Sequence, residues 1–142
     1  MAAERIGRWL AVDLGDRRIG VAVSDELGLI ATPLAVLPAR GRRVDIPALL
    51  ALAEREGVVG IVVGLPIRDD GARTEQTAKA ERFARRLAAA TALPVCLHDE
   101  RYTTWEAQQR RLGRRRGPDD AEAAAVLLES FLADRQFLKA GG

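Results

Sequence analysis

The chain has 142 residues, a formal net charge of +2, 48% hydrophobic and 30% charged residues. That length and balance predict one globular domain spanning residues 1–142 and exclude a disordered chain. A lone cysteine, Cys96, excludes an internal disulfide framework, and no apolar run reaches the ~20 residues needed to span a bilayer. With no signal-peptide pattern at the N-terminus, the expected location is cytoplasmic, with no membrane partner. Lysine occurs only at Lys79 and Lys139, so 20 of the 22 basic residues are arginine. A codon bias explains the ratio as well as function does. Placement says more: six arginines stand between Arg101 and Gly117 against one acid, Glu106. Such a run is a solvated face or a surface for a polyanion.

In chain order, Trp9 to Ser24 reads as two short apolar strands joined by a tight turn bearing glycine and arginine, with Asp13 where the first strand runs out. A third apolar segment, Leu29 to Leu37, completes an antiparallel meander. Asp45 is the expected N-cap of a first helix, with Pro47 in its first turn and Ile46, Leu49, Leu50 and Ala53 facing inward up to Gly57. Val58 to Val63 is a β-branched run without alternation, as in a strand covered on both faces, and Gly64-Leu65-Pro66 ends it. A helix begins near Thr74, with Ala80, Phe83 (or Ala84) and Leu87 inward. Pro94 to His98 is the fifth strand. Thr103 and Glu106 form a capping box for a further helix. After the break at Gly113 to Pro118, the last helix opens at Asp119 or Asp120, with Ala121, Ala124, Ala125, Leu128 and Phe131 or Leu132 at helical spacing.

Crossover helices force strands one, four and five to run parallel, and ligands in such sheets gather at the carboxyl ends of parallel strands. Asp13, Gly64 and Asp99-Glu100 therefore share one rim, and the Asp119-Asp120 helix start can fold back over it. Three carboxylates about 6 Å apart repel by roughly 3 kcal/mol per pair at an effective dielectric of ~20. The sum rivals a domain's whole stability of about 5–15 kcal/mol, so either protons or a divalent cation must relieve it. Carboxylates and water suit Mg²⁺ or Mn²⁺, whose coordination substrate phosphates commonly complete. Acids rimmed by arginines thus point to phosphodiester hydrolysis.

Val12-Asp13-Leu14-Gly15-Asp16-Arg17-Arg18-Ile19-Gly20-Val21-Ala22-Val23-Ser24-Asp25 resembles the signature of the YqgF-type family. So do Val62-Val63-Gly64-Leu65-Pro66, Asp99-Glu100-Arg101-Tyr102-Thr103-Thr104 and Asp120-Ala121-Glu122-Ala123-Ala124 with Leu128-Glu129-Ser130-Phe131. The similarity covers nearly the whole chain. It implies an α/β, ribonuclease-H-like fold: a five-stranded mixed sheet of order 3-2-1-4-5 flanked by helices. It further implies a metal-dependent nuclease that matures the 5′ end of 16S pre-rRNA, with Asp13, Glu100 and Asp120 as catalytic and metal-binding acids. Arg17, Arg101, Thr104, Arg114, Arg115 and Arg116 are the expected substrate contacts. Arg17 stands where lysine is common in the family, and Ile67-Arg68-Asp69-Asp70-Gly71 departs from its usual Asn-Met-Asp-Gly type.

Other readings stay open on sequence alone. Pre-rRNA is the expected partner and branched DNA the alternative, as for a Holliday-junction-type resolvase; the chain is expected to be a monomer or a homodimer. Asp-x-Gly with a basic turn also resembles the phosphate loop of actin-like ATPases, though those bind nucleotide between two such domains. A non-catalytic RNA-binding assembly factor is the third alternative. Asp13 fits a turn cap, Glu100 an ion pair, and Asp120 an N-cap. His98 reads as a satisfied strand-end histidine or a neighbour of the acids, and Gly64 as a turn or a close approach.

Overall fold

The computed structural model describes residues 6–100 and 119–141. Five strands form one sheet in the order β3-β2-β1-β4-β5. They are β1 (Trp9–Leu14), β2 (Arg18–Ser24), β3 (Ala31–Pro38), β4 (Gly60–Leu65) and β5 (Val95–Asp99). β1, β2 and β3 pair antiparallel, while β1–β4 and β4–β5 are parallel. The meander and both crossovers are as the apolar segments and their spacing require. The strand ends shift by one or two residues. β3 starts at Ala31 because Asp25 closes the preceding turn, its Oδ1 accepting the Leu29 and Ile30 amides at 2.7 and 2.9 Å. Those amides hold the Asp25 carboxyl below the usual range for aspartate.

Two helices, α1 (Arg42–Glu56) and α2 (Glu75–Ala89), cover one face of the sheet, and α3 (Asp120–Gly141) covers the other. Alternation along the strands sorts the side chains. Leu10, Val12, Ile19, Val21, Ile61 and Val63 pack on the α1/α2 side; Trp9, Ala11, Ala22 and Val62 pack on the α3 side. β4 is thus buried on both faces, which is why its sequence lacks a period of two.

The first helix departs from expectation at its start. Asp45 is not the N-cap. Gly41, at φ 99°, is the N-cap and turns the chain into α1 four residues earlier. The Asp45 carboxylate folds back inside the first turn and accepts the amides of Arg40 (3.1 Å) and Gly41 (3.0 Å). Glycine alone enters that left-handed region freely, so the backbone outweighed the side-chain cap. The inward residues are as the spacing predicts: Ile46, Leu49 and Ala53 are buried, Leu50 packs at their edge, and Gly57 ends the helix at φ 64°. In α2, Thr74 is the N-cap, closed by a capping box with Thr77, and Ala80, Ala84 and Leu87 are buried. Thr77 Oγ1 also donates to the Pro66 carbonyl, tying α2 to the end of β4.

Asp119 settles the open choice at α3: its Oδ1 accepts the Glu122 amide at 2.7 Å, the N-cap geometry. Ala121, Ala124, Ala125, Leu128, Phe131 and Leu132 are all buried, joined by Leu127. The capping box at Thr103–Glu106 and the break at Gly113 to Pro118 lie outside the described residues.

Candidate functional site

Asp13 is the last but one residue of β1, and Ala11 and Trp9, two and four positions before it, face α3. Its carboxylate therefore leaves the sheet on the α3 side. Its partner across β2 is Gly20. On the other side the pairing Val12↔Val63 leads on to Gly64, which is itself paired with His98. Asp13 thus stands between two glycines. Their missing side chains leave room on that face, and each gap is filled by an acidic residue from elsewhere in the chain.

Above Gly20 sits the first turn of α3. A Cβ on Gly20 would run into the backbone carbonyl of Asp120 and lie 2.9 Å from the Ala121 nitrogen. Above Gly64 sits the Glu100 carboxylate. A Cβ there would run into Glu100 Oε1 and lie 3.1 Å from both Glu100 Cδ and Leu127 Cδ2. Gly64 is therefore not a turn but a position of close approach, and the group that approaches is the Glu100 carboxylate. The two glycines bring the β5 end and the α3 start to the two sides of Asp13. The positive end of a helix dipole beside these acids favours anionic groups there.

Asp120 follows its backbone only in part. Its Oδ2 accepts from Arg18 Nε at 2.8 Å, so its carboxylate is engaged by the start of β2. Among the described residues, no three His, Cys, Asp or Glu side chains are gathered in a metal-ligand cluster. Asp13 and Glu100 supply hard oxygen donors suited to Mg²⁺ or Mn²⁺; Asp120 fits the same ion only after exchanging its arginine. Arg18, not singled out from sequence, is thus a residue of the site. Adjacent arginines in a turn carry no sequence signal for which one faces the acids.

Arg17 is exposed on the turn after β1, with its carbonyl accepting the Ala39 amide at 2.9 Å. Arg101, Thr104, Arg114, Arg115 and Arg116 lie outside the described residues. His98 Nε2 lies 3.0 Å from Ser130 Oγ on α3 and 3.7 Å from Asp134 Oδ2, with its ring edge-on to Phe131. Burial lowers its pKa below the ordinary histidine value, against the opposing pull of Asp134 and Asp99. It joins β5 to α3 two residues before Glu100.

Residues 7–134 match the family described as "RuvX: Holliday junction resolvase". A protein of Azotobacter vinelandii named "Putative pre-16S rRNA nuclease" is 46% identical over 132 residues, covering 89% of this chain and 93% of its own. One of the same name from Koribacter versatilis is 42% identical over 135 residues, covering 91% and 88%. Among solved structures, Thermus thermophilus RuvC in complex with a Holliday junction substrate superposes with a TM-score of 0.60 at 16% identity, covering 92% of this chain and 96% of that one. Fowlpox virus resolvase superposes at 0.54 with 10% identity, covering 90% and 98%. The fold is ribonuclease-H-like, with the expected strand order.

Proposed function

Because this chain belongs to the RuvX family and is a nuclease, we propose that it hydrolyses RNA phosphodiester bonds with Mg²⁺ or Mn²⁺, maturing the 5′ end of 16S pre-rRNA. The single observation that carries the site is the filling of the Gly20 and Gly64 gaps, on either side of Asp13, by the α3 start and the Glu100 carboxylate. The names of the curated relatives support the substrate. In this reading residues 1–142 form one nuclease domain, working in the cytoplasm as a monomer or homodimer.

Asp13 and Glu100 would hold the cation, and Asp120 would complete its shell by releasing Arg18. When bound, the divalent ion supplies positive charge that acidifies water and offsets charge developing on the phosphoryl oxygens. The protein's own groups do the rest. The strand ends fix Asp13 and Glu100 on a rigid sheet edge, so little reorganisation accompanies the reaction. The α3 N-terminus faces the anionic phosphate. Arg17, Arg101, Thr104 and the Arg114 to Arg116 run hold the flanking phosphates, and Arg18, once released, turns to them as well.

A second reading, cleavage of branched DNA, is favoured by the description of the family that matches. Purified protein assayed on a pre-rRNA 5′ segment and on a four-way DNA junction, with Mg²⁺ and with Mn²⁺, separates the two. Asp13→Asn is expected to abolish cleavage and to keep the native circular dichroism spectrum. Full activity in that variant overturns the assignment of Asp13.

A further inference from the structure

On the face of the sheet opposite Asp13, a cavity of about 400 Å³ opens between the start of α1, the middle of α2 and the β1–β2 turn. Arg42, Lys79, Arg82 and Arg86 line it, with Phe83 as an apolar wall and Asp16 at its mouth. Asp45 also borders it, but that carboxylate already accepts the Arg40 and Gly41 amides. Four cations against two acids leave a net positive hollow. Its ion pairs are slack. Lys79 Nζ lies 3.7 Å from Asp16, and Arg82 lies 3.2 Å from the exposed Glu75. Arg42 and Arg86 are exposed and have no carboxylate partner among the described residues.

We propose that this cavity is a second phosphate-binding site, which takes the single-stranded flank of the nucleic-acid substrate. The inference rests on the nuclease reading for the identity of the strand, and on the cavity itself for the contact. Leu14, which lines the cavity, is the residue after Asp13, and Gly15 and Asp16 form the ridge between the two. A strand with one phosphate at Asp13 therefore crosses the β1–β2 turn and descends directly into the hollow. Arginine forks suit phosphodiester oxygens, and exposed pairs as loose as Lys79–Asp16 yield readily to a phosphate. Phe83 offers a flat apolar surface to a base or sugar. None of the four cations belongs to the basic run at Arg101 to Arg116, so this is a separate contact.

The test is binding of a labelled single-stranded RNA to the full chain in the presence of a chelator, titrated at several salt concentrations. Arg42→Ser/Arg86→Ser is expected to weaken binding at least about tenfold at low salt and to reduce the log–log salt slope by about 1.4, two phosphates' worth for a single strand. Arg8→Ser/Arg55→Ser removes the same charge at the opposite end of the sheet and is expected to leave the slope unchanged. An unchanged slope in the first variant, or an equal fall in both, overturns the proposal. Displacement of the RNA by an equal nucleotide concentration of free mononucleotide also overturns it, in favour of a small-nucleotide site. Cleavage is scored separately: wild-type protein that cuts neither RNA nor junction refutes the nuclease reading, while the slope difference still establishes the cavity.

Discussion

Two glycines flank Asp13, and an added methyl group meets a different obstacle at each. At Gly64 the main obstacle is the far end of the flexible Glu100 side chain, with Leu127 Cδ2 at 3.1 Å needing to give by only a few tenths of an ångström. Gly64→Ala is therefore expected to fold with a near-native melting temperature but to lose activity on the order of 10²-fold, the cost of misplacing a reacting group by about 1 Å. At Gly20 the obstacle is the backbone of Asp120 and Ala121, which cannot move without lifting α3 from the sheet. Gly20→Ala is expected to cost stability at the upper end of the about 1–3 kcal/mol range for overpacking, or beyond it. Thermal melts and cleavage rates of the two variants check the pair together. Equal melting temperatures would contradict the geometry around Gly20. Asp120 itself shows how far a residue's type fails to fix its role. Its backbone is pinned beside Asp13, yet its carboxylate is drawn to Arg18.

At the scale of the element, α3 is the piece that assembles the site, and it is held at both ends of its buried stripe. Asp119 caps it, and Asp119→Ala is expected to cost about 1 kcal/mol in denaturant unfolding, the usual worth of an N-cap oxygen. Further along, His98 reaches from β5 to Ser130. Burial favours its neutral form, so the unfolded chain binds a proton there more readily than the folded one. Its contribution is complete above the ordinary histidine pKa of 6.5 and is lost as pH falls below that value toward the lower folded pKa. Unfolding free energy measured downward from about one pH unit above the ordinary histidine value is thus expected to fall more steeply in wild type than in His98→Gln. Parallel slopes would remove His98 as the cause. Asp134 and Asp99 pull the other way, so replacing Asp134 with Asn is expected to steepen the wild-type slope.

Across the whole molecule, one sheet serves two cores. Leu10, Val12 and Ile61 belong to the α1/α2 side; Ala11 and Val62, their immediate neighbours in sequence, belong to the α3 side. Neither layer can lose its packing without exposing the strands that the other covers. Unfolding by urea is therefore expected as one transition, with coincident fluorescence and circular dichroism curves. Two separated steps would show that α3 detaches on its own. The sheet also separates two faces chemically: carboxylates on the α3 side of the rim, arginines and a lysine in the hollow on the other. The β1–β2 turn is the short bridge between them.

Much of this is legible in the chain because it depends on local chemistry. The β-branched run of β4, the alanine and leucine spacing of α3, and the positions where glycine ends a helix each follow from a period or a φ angle. Crossover helices then order the strands. Strand polarity also makes Asp13 and the pair Asp99-Glu100 visible as acids bound for one rim, with the Asp119-Asp120 helix start able to fold back over it; the choice of Glu100 and Asp120 within those pairs comes from the family resemblance. What the linear order could not contain is where the side chains point once they arrive. Whether Gly64 seats Glu100, whether Asp120 answers to Arg18, and whether Arg42 shares one hollow with Lys79, Arg82 and Arg86 of α2 all depend on distances between segments tens of residues apart. Sequence determines which groups reach the edge of the sheet, because that is a matter of backbone direction. Tertiary packing decides which of them touch, because a contact a few ångströms long is set by the sum of all the layers beneath it.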